Sequence, residues 1–145
     1  MIKLKFLSLL FLVVTMAISA QAQAQTKEDN AAVLAPVKLQ LEGYNNRDIE
    51  TFTKAFSDTV KVYRQPGVLS YQGRDELRKR YGQMFANTPD LHCEIVNRIV
   101  AGNVVIDHEK VQRQKGQPRF DAIAVYRVKG NEIVEVTFIS PDKEQ

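Results

Sequence analysis

An α+β domain, with three helices packed on one face of a curved, mainly antiparallel sheet, follows from three features of the sequence. Apolar residues in the first half recur every three or four positions, the spacing of a helix face. After Pro89 they recur every second position, the spacing of a half-buried strand. The strand-like segments are long, consecutive and joined by short glycine- or proline-bearing links, which makes a meander under a layer of helices.

Residues 1–24, MIKLKFLSLLFLVVTMAISAQAQA, read as a signal peptide. Lys3 and Lys5 precede an apolar run from Phe6 to Ile18, and Ala22 or Ala24 offers a cleavage position. The run is shorter than the roughly 20 residues that span a bilayer. Export to the periplasm or the exterior is expected, with no stable membrane association after cleavage. Residues 25–32 read as a flexible leader, 33–140 as the single domain and 141–145 as a C-terminal tail.

Within the domain, Val33, Leu34, Val37, Leu41 and Tyr44 mark one face of a first helix, with Pro36 in its first turn or at a kink. Asn45-Asn46 closes it, and Asp48 caps a second helix ending near Phe56. VKVYR (60–64) is a strand, Pro66-Gly67 a turn and VLSY (68–71) a short returning strand. A third helix follows Gly73, with Leu77, Tyr81, Met84 and Phe85 on one face. Four long strands come next: Leu91–Ala101, Asn103–Arg113, Phe120–Lys129 and Glu132–Ser140.

The charge balance belongs partly to the leader. The chain has 20 Lys and Arg against 17 Asp and Glu, but losing Lys3 and Lys5 leaves 18 against 17. RKR (78–80) is then a solvated helix face, and no nucleic-acid partner is expected. The single cysteine, Cys93, excludes an internal disulfide and reads as a small buried hydrophobe. With no zinc spacing, phosphate loop or dinucleotide fingerprint, neither metal nor cofactor is expected.

The segments YNNRDIETFTKAFSDTVKVY, QGRDELRKRYGQMF and GNVVIDHE, in this order, resemble the nuclear-transport-factor-2-like superfamily. Within it they are most similar to the SnoaL-like, ketosteroid-isomerase-like branch, over about Val33 to Ser140. The resemblance implies a cone-shaped fold, a pocket between the helices and the concave sheet face, and a homodimer formed through the sheet. It does not imply one reaction, because a scaffold hosts many. Ketosteroid isomerases use a carboxylate base, a Tyr and a protonated Asp. The corresponding positions here hold Arg64, Gln40 and Ala124, so none of the three is retained; Tyr81 does match a pocket tyrosine. The acid and histidine of SnoaL-like cyclases have no evident counterpart on the last two strands.

The same resemblance turns Val104, Ile106, His108 and Lys110 toward the pocket, and strand alternation then turns Asp107 and Glu109 away. His108 is the candidate catalytic acid or base, because imidazole titrates nearest neutral pH. Gln40, Tyr44, Tyr63, Arg64, Tyr81, Tyr126 and Phe138 are the candidate ligand-binding residues, with Tyr63 near the rim. Tyrosine hydroxyls suit a carbonyl or phenolic oxygen, and an inward Arg64 requires an anionic group or an acid. The outer face collects His92, Glu94, Arg98, Asp107, Glu109, Arg127 and Glu135 among Val96, Ile123 and Val125, a pattern that suits a two-fold dimer. A one-residue shift in register would exchange the faces and bring Arg98, Asp107 and Glu109 to the pocket. The functions that fit are an exported cofactor-free isomerase, lyase or hydrolase acting on a small, partly apolar oxygenated molecule, a non-catalytic binder of such a molecule, and a dimeric interaction module. Enzyme and binder are not separated by the sequence.

Overall fold

The computed structural model describes residues 28–140. The expected signal peptide, the start of the leader and the C-terminal tail lie outside them. From Ala32 onward the described residues form one compact unit, which carries the fold described below.

The first helix, α1, covers 28–46. Residues 28–32 were expected in a flexible leader but are helical, consistent with the good helix-forming character of Ala31 and Ala32. Pro36 is therefore well inside the helix and buried, not in its first turn. Arg47 closes α1 in the left-handed region at φ 55°. Asp48 then caps α2 (Ile49–Lys54), accepting hydrogen bonds from the backbone N–H groups of Glu50 and Thr51 at 3.0 and 3.2 Å. Gly43 permits the close approach of these helices, since a Cβ there would stand 2.3 Å from the Phe52 backbone nitrogen. The third helix, α3, spans Arg74–Asn87.

Six strands form one sheet: β1 (Phe56–Arg64), β2 (Val68–Gln72), β3 (His92–Ala101), β4 (Val104–Gln112), β5 (Phe120–Lys129) and β6 (Glu132–Ile139). Their order is β2-β1-β6-β5-β4-β3, with the four long strands adjacent in sequence order. Every pairing is antiparallel except β1 with β6. The first strand starts four residues earlier than its VKVYR core, because the second helix stops at Lys54.

The core lies between the helices and one sheet face. Phe52 is 1% exposed and stands among aromatic neighbours, with ring centroids 5.1 Å from Phe56, 4.3 Å from Tyr81 and 5.5 Å from Phe85. Truncating such a ring to alanine costs about 3–5 kcal/mol. Asn45 joins the layers: its side chain accepts from the Cys93 N–H at 2.7 Å and donates to the Cys93 carbonyl at 3.0 Å.

One irregularity decides what the core face carries. The β3–β4 register shifts between Ile95 and Asn97, so Val96 is an extra residue. Before the bulge Cys93 points inward; after it Arg98 and Val100 do, opposite Asp107 and Val105. Uniform alternation places Arg98 outside with Glu94 and Val96. The bulge reverses it.

Candidate functional site

A cavity of about 340 Å³ opens between the helices and the inner sheet face. Its wall takes Gln40 and Tyr44 from α1, Tyr81 from α3, Arg64 from β1, Tyr126 from β5 and Phe138 from β6. Six of the seven ligand-binding residues expected from the sequence therefore share one cavity. Tyr63 is not among them. Val62 and Arg64 flank it in β1 and both line the cavity, so alternation turns Tyr63 to the other side.

His108 is likewise absent from the cavity wall. The burial pattern of β4 shows why: Val105, Asp107, Glu109 and Val111 are all buried, whereas His108 is only partly buried. The histidine sits on the outer face, where its Nε2 is 2.7 Å from Asp121 Oδ1, with Lys110 Nζ 3.9 Å from the other carboxylate oxygen. Its assignment as catalytic residue is overturned. Asp107, Glu109 and Arg98, expected outside, are on the inner face, and Glu109 lines the cavity.

Two buried acids on a core face need partners. Asp107 is 0% exposed and receives both Nε and Nη2 of Arg98, at 2.6 and 2.7 Å. Glu109 Oε1 accepts from the Tyr126 hydroxyl at 2.9 Å, and that hydroxyl oxygen accepts from Gln40 Nε2 at 3.1 Å. The chain Gln40–Tyr126–Glu109 thus crosses from α1 to β4 along the cavity wall. The Gln40 donation occupies the tyrosine's lone-pair side and directs its proton to the carboxylate.

Burial pushes the Glu109 carboxyl up to about 7, helped by the negative charge of Asp107. The Tyr126 hydrogen bond and Arg98 oppose the rise and keep the group near neutrality. Burial also raises the hydroxyls of Tyr44, Tyr81 and Tyr126, all of which stay protonated at neutral pH. Tyr81 shares a hydrogen bond with Tyr71. Tyr44 feels both Glu109 and Arg113 and so stands within reach of the acid's field. The Cys93 thiol is pushed up by burial and by Glu109, which keeps it an unreactive wall residue. Among the described residues no group of three or more His, Cys, Asp or Glu is placed to hold a metal ion, and no helix is long and apolar enough to cross a membrane.

The sequence places Glu109 in the pocket only in its alternative register, because both faces of β4 have the same polarity. The available signal was Arg98, the nearest cation able to neutralise an inward acid, but its own face depends on the bulge.

Helices laid on an open six-stranded sheet, with a cavity between them, define the nuclear-transport-factor-2-like class of α+β domain. The model of the SnoaL-like domain matches residues 37–136, and the chain belongs to that family. No curated protein matches it in sequence. Among solved structures it is similar to an uncharacterized cystatin-fold protein from Novosphingobium aromaticivorans, at 28% identity and TM-score 0.67, over 74% of this chain and 97% of that one. A SnoaL-like protein of unknown function from Burkholderia thailandensis matches at 15% identity and TM-score 0.64, over 77% and 96%. An LEH-like epoxide hydrolase of M. tuberculosis matches at 15% identity and TM-score 0.64, over 77% and 84%. The last two likenesses are of fold alone.

Proposed function

We propose that this protein binds a small, partly apolar, oxygenated molecule in its cavity and that Glu109 moves a proton on it, as in a cofactor-free isomerase, lyase or hydrolase. One observation carries the reading: a carboxyl in a cavity wall, buried enough to titrate near 7 and oriented by Tyr126 and Gln40. A base poised near the working pH is half ready to accept a proton and half ready to return it. The Tyr126 bond occupies Oε1, which leaves Oε2 to exchange a proton with the ligand or a bound water. Tyr44, held protonated by burial, is the donor for a ligand oxygen on which charge develops. Phe52, Leu77, Met84 and Phe138 supply apolar wall. The volume falls in the range of roughly 300–1,000 Å³ common for small-molecule sites.

The protein acts, in this reading, as an exported homodimer. Export rests on the basic and apolar segments of residues 1–24. The dimer rests on the outer sheet face, where Val96 and Ile99 are 51% and 53% exposed and Ile123 and Val125 are partly exposed.

The test is to incubate the protein with a small-molecule extract, identify retained ligand by native mass spectrometry, and follow its deuterium uptake in D2O. Wild type and Glu109→Gln should retain the same molecule, with exchange only in the wild type. Equal exchange in both would remove Glu109 from the mechanism, and retention of nothing would remove the binding site.

A further inference from the structure

The charges of the cavity wall are unevenly placed. Glu109 is buried, whereas the arginines that line the same cavity, Arg64, Arg80 and Arg113, are all exposed. They come from separate elements: Arg64 ends β1, Arg80 lies on α3 and Arg113 follows β4. Two of them are held against rings of the wall. The Arg80 guanidinium lies 4.6 Å from the Tyr71 ring centroid and that of Arg113 lies 5.0 Å from Phe120. Such stacking restrains the guanidinium plane while its N–H edge can still donate. Tyr71 also feels Arg64, and Tyr44 feels Arg113 together with Glu109. Strands β1 and β4 run in the same direction, so Arg64 and Arg113, at their C-terminal ends, stand at the same end of the sheet.

Their counter-charges are weak. Glu76 meets Arg80 at 2.7 Å, an exposed pair one helical turn apart that solvent and salt screen. Among the described residues no ion pair engages Arg64 or Arg113. Asp107 is already neutralised by Arg98. The wall is therefore cationic at its exposed end, apolar and aromatic along its length, and acidic only at Glu109.

We infer that the ligand is an amphiphilic acid, whose apolar body fills the aromatic cavity and whose anionic oxygen group, a carboxylate or a phosphate, is held at the exposed end by Arg64, Arg80 and Arg113. The inference rests on the reading of this cavity as a small-molecule site. Planar guanidinium forks match either group in two-point hydrogen bonding. An anion fixed at that end also orients the ligand, turning its uncharged part toward Glu109 and keeping like charges apart.

Calorimetric titration of the purified protein with 4-phenylbutanoate, 4-phenylbutyl phosphate and 4-phenylbutan-1-ol tests this, since the three differ only in the head group. At least one anion should bind about tenfold or more tighter than the alcohol, a gap of about 1.4 kcal/mol, and the gap should shrink as salt rises. The ratio of the two anions then names the head group. In the Arg64→Met/Arg113→Met double variant the anion should lose that advantage while the alcohol binds as before. An alcohol that binds the wild type as tightly as both anions overturns the inference and leaves the binding site standing. An anion preference that survives the double variant overturns the role of these arginines. Failure of all three probes to bind overturns the binding site itself, and the inference with it.

Discussion

Arg98 holds both carboxylate oxygens of Asp107 across neighbouring strands, at 2.6 and 2.7 Å, with the arginine 18% exposed and the aspartate not at all. The pair exists because the bulge at Val96 turns Arg98 inward. Asp107 has both carboxylate oxygens engaged by one guanidinium, whereas Glu109, the other acid of the β4 inner face, receives a single hydrogen bond, from Tyr126. Burial and the Tyr126 hydrogen bond dominate the titration of the cavity carboxyl, and the Arg98–Asp107 pair adds two opposing charges beside it.

Removing one member of this pair should cost far more than removing both. Asp107→Ala leaves a mostly buried guanidinium unpaired, and Arg98→Ala leaves a buried carboxylate; either should destabilise by roughly 3–5 kcal/mol. The double variant should lose clearly less than the sum, as interacting neighbours do. Urea denaturation of the three variants measures the coupling, and simple additivity would mean the pair is not engaged in solution.

Glu109→Gln should change how stability depends on pH. Below about 4.5 the carboxyl is protonated in folded and unfolded chains alike, so its burial adds no charge cost. Between 4.5 and about 7 the unfolded chain has released a proton that the folded chain keeps, and stability falls as pH rises. Above about 7 the full penalty applies, on the order of 3 kcal/mol. Glutamine can still accept the Tyr126 hydrogen bond but carries no charge. Thermal denaturation should show the variant gaining on wild type across this window and holding its gain above it; parallel curves would contradict a raised carboxyl.

His108→Ala should leave the cavity unchanged. Its contact with Asp121 is between side chains that are each 39% exposed, so the loss should be within about 0–1 kcal/mol. Ile99→Glu, on the same outer face, should instead convert the proposed dimer to a monomer in light scattering, because it places a charge amid the exposed apolar residues. Retention of the dimer by that variant would move the interface elsewhere.

Much of the fold is legible in the sequence. The change of period after Pro89, the Asp48 cap and the Gly102-Asn103 and Gly130-Asn131 turns are local signals, and local signals survive folding. The phase of β4 is not legible. Its inner face carries Val105 and Val111 with Asp107 and Glu109; its outer face carries Val104 and Ile106 with His108 and Lys110. Each face offers two apolar and two ionisable residues, so hydropathy does not choose between them. The choice is made by distant partners, Arg98 and Tyr126, and Arg98 is available only through a bulge that no glycine or proline announces in Ile95-Val96-Asn97-Arg98. The inward turn of Tyr126, Val136 and Phe138 follows from the family resemblance, and all three line the cavity.

In the proposed function Glu109 is a cavity carboxyl titrating near neutrality. Carboxyl ¹³C NMR, with the Glu109 resonance assigned by its loss in Glu109→Gln, measures this directly as pH is varied. The predicted midpoint is about 7. It should move down in Asp107→Asn, where a neighbouring negative charge is lost, and up in Tyr126→Phe, where the bond to the carboxylate is lost. A midpoint near 4.5, the ordinary value for a glutamate, would contradict the account.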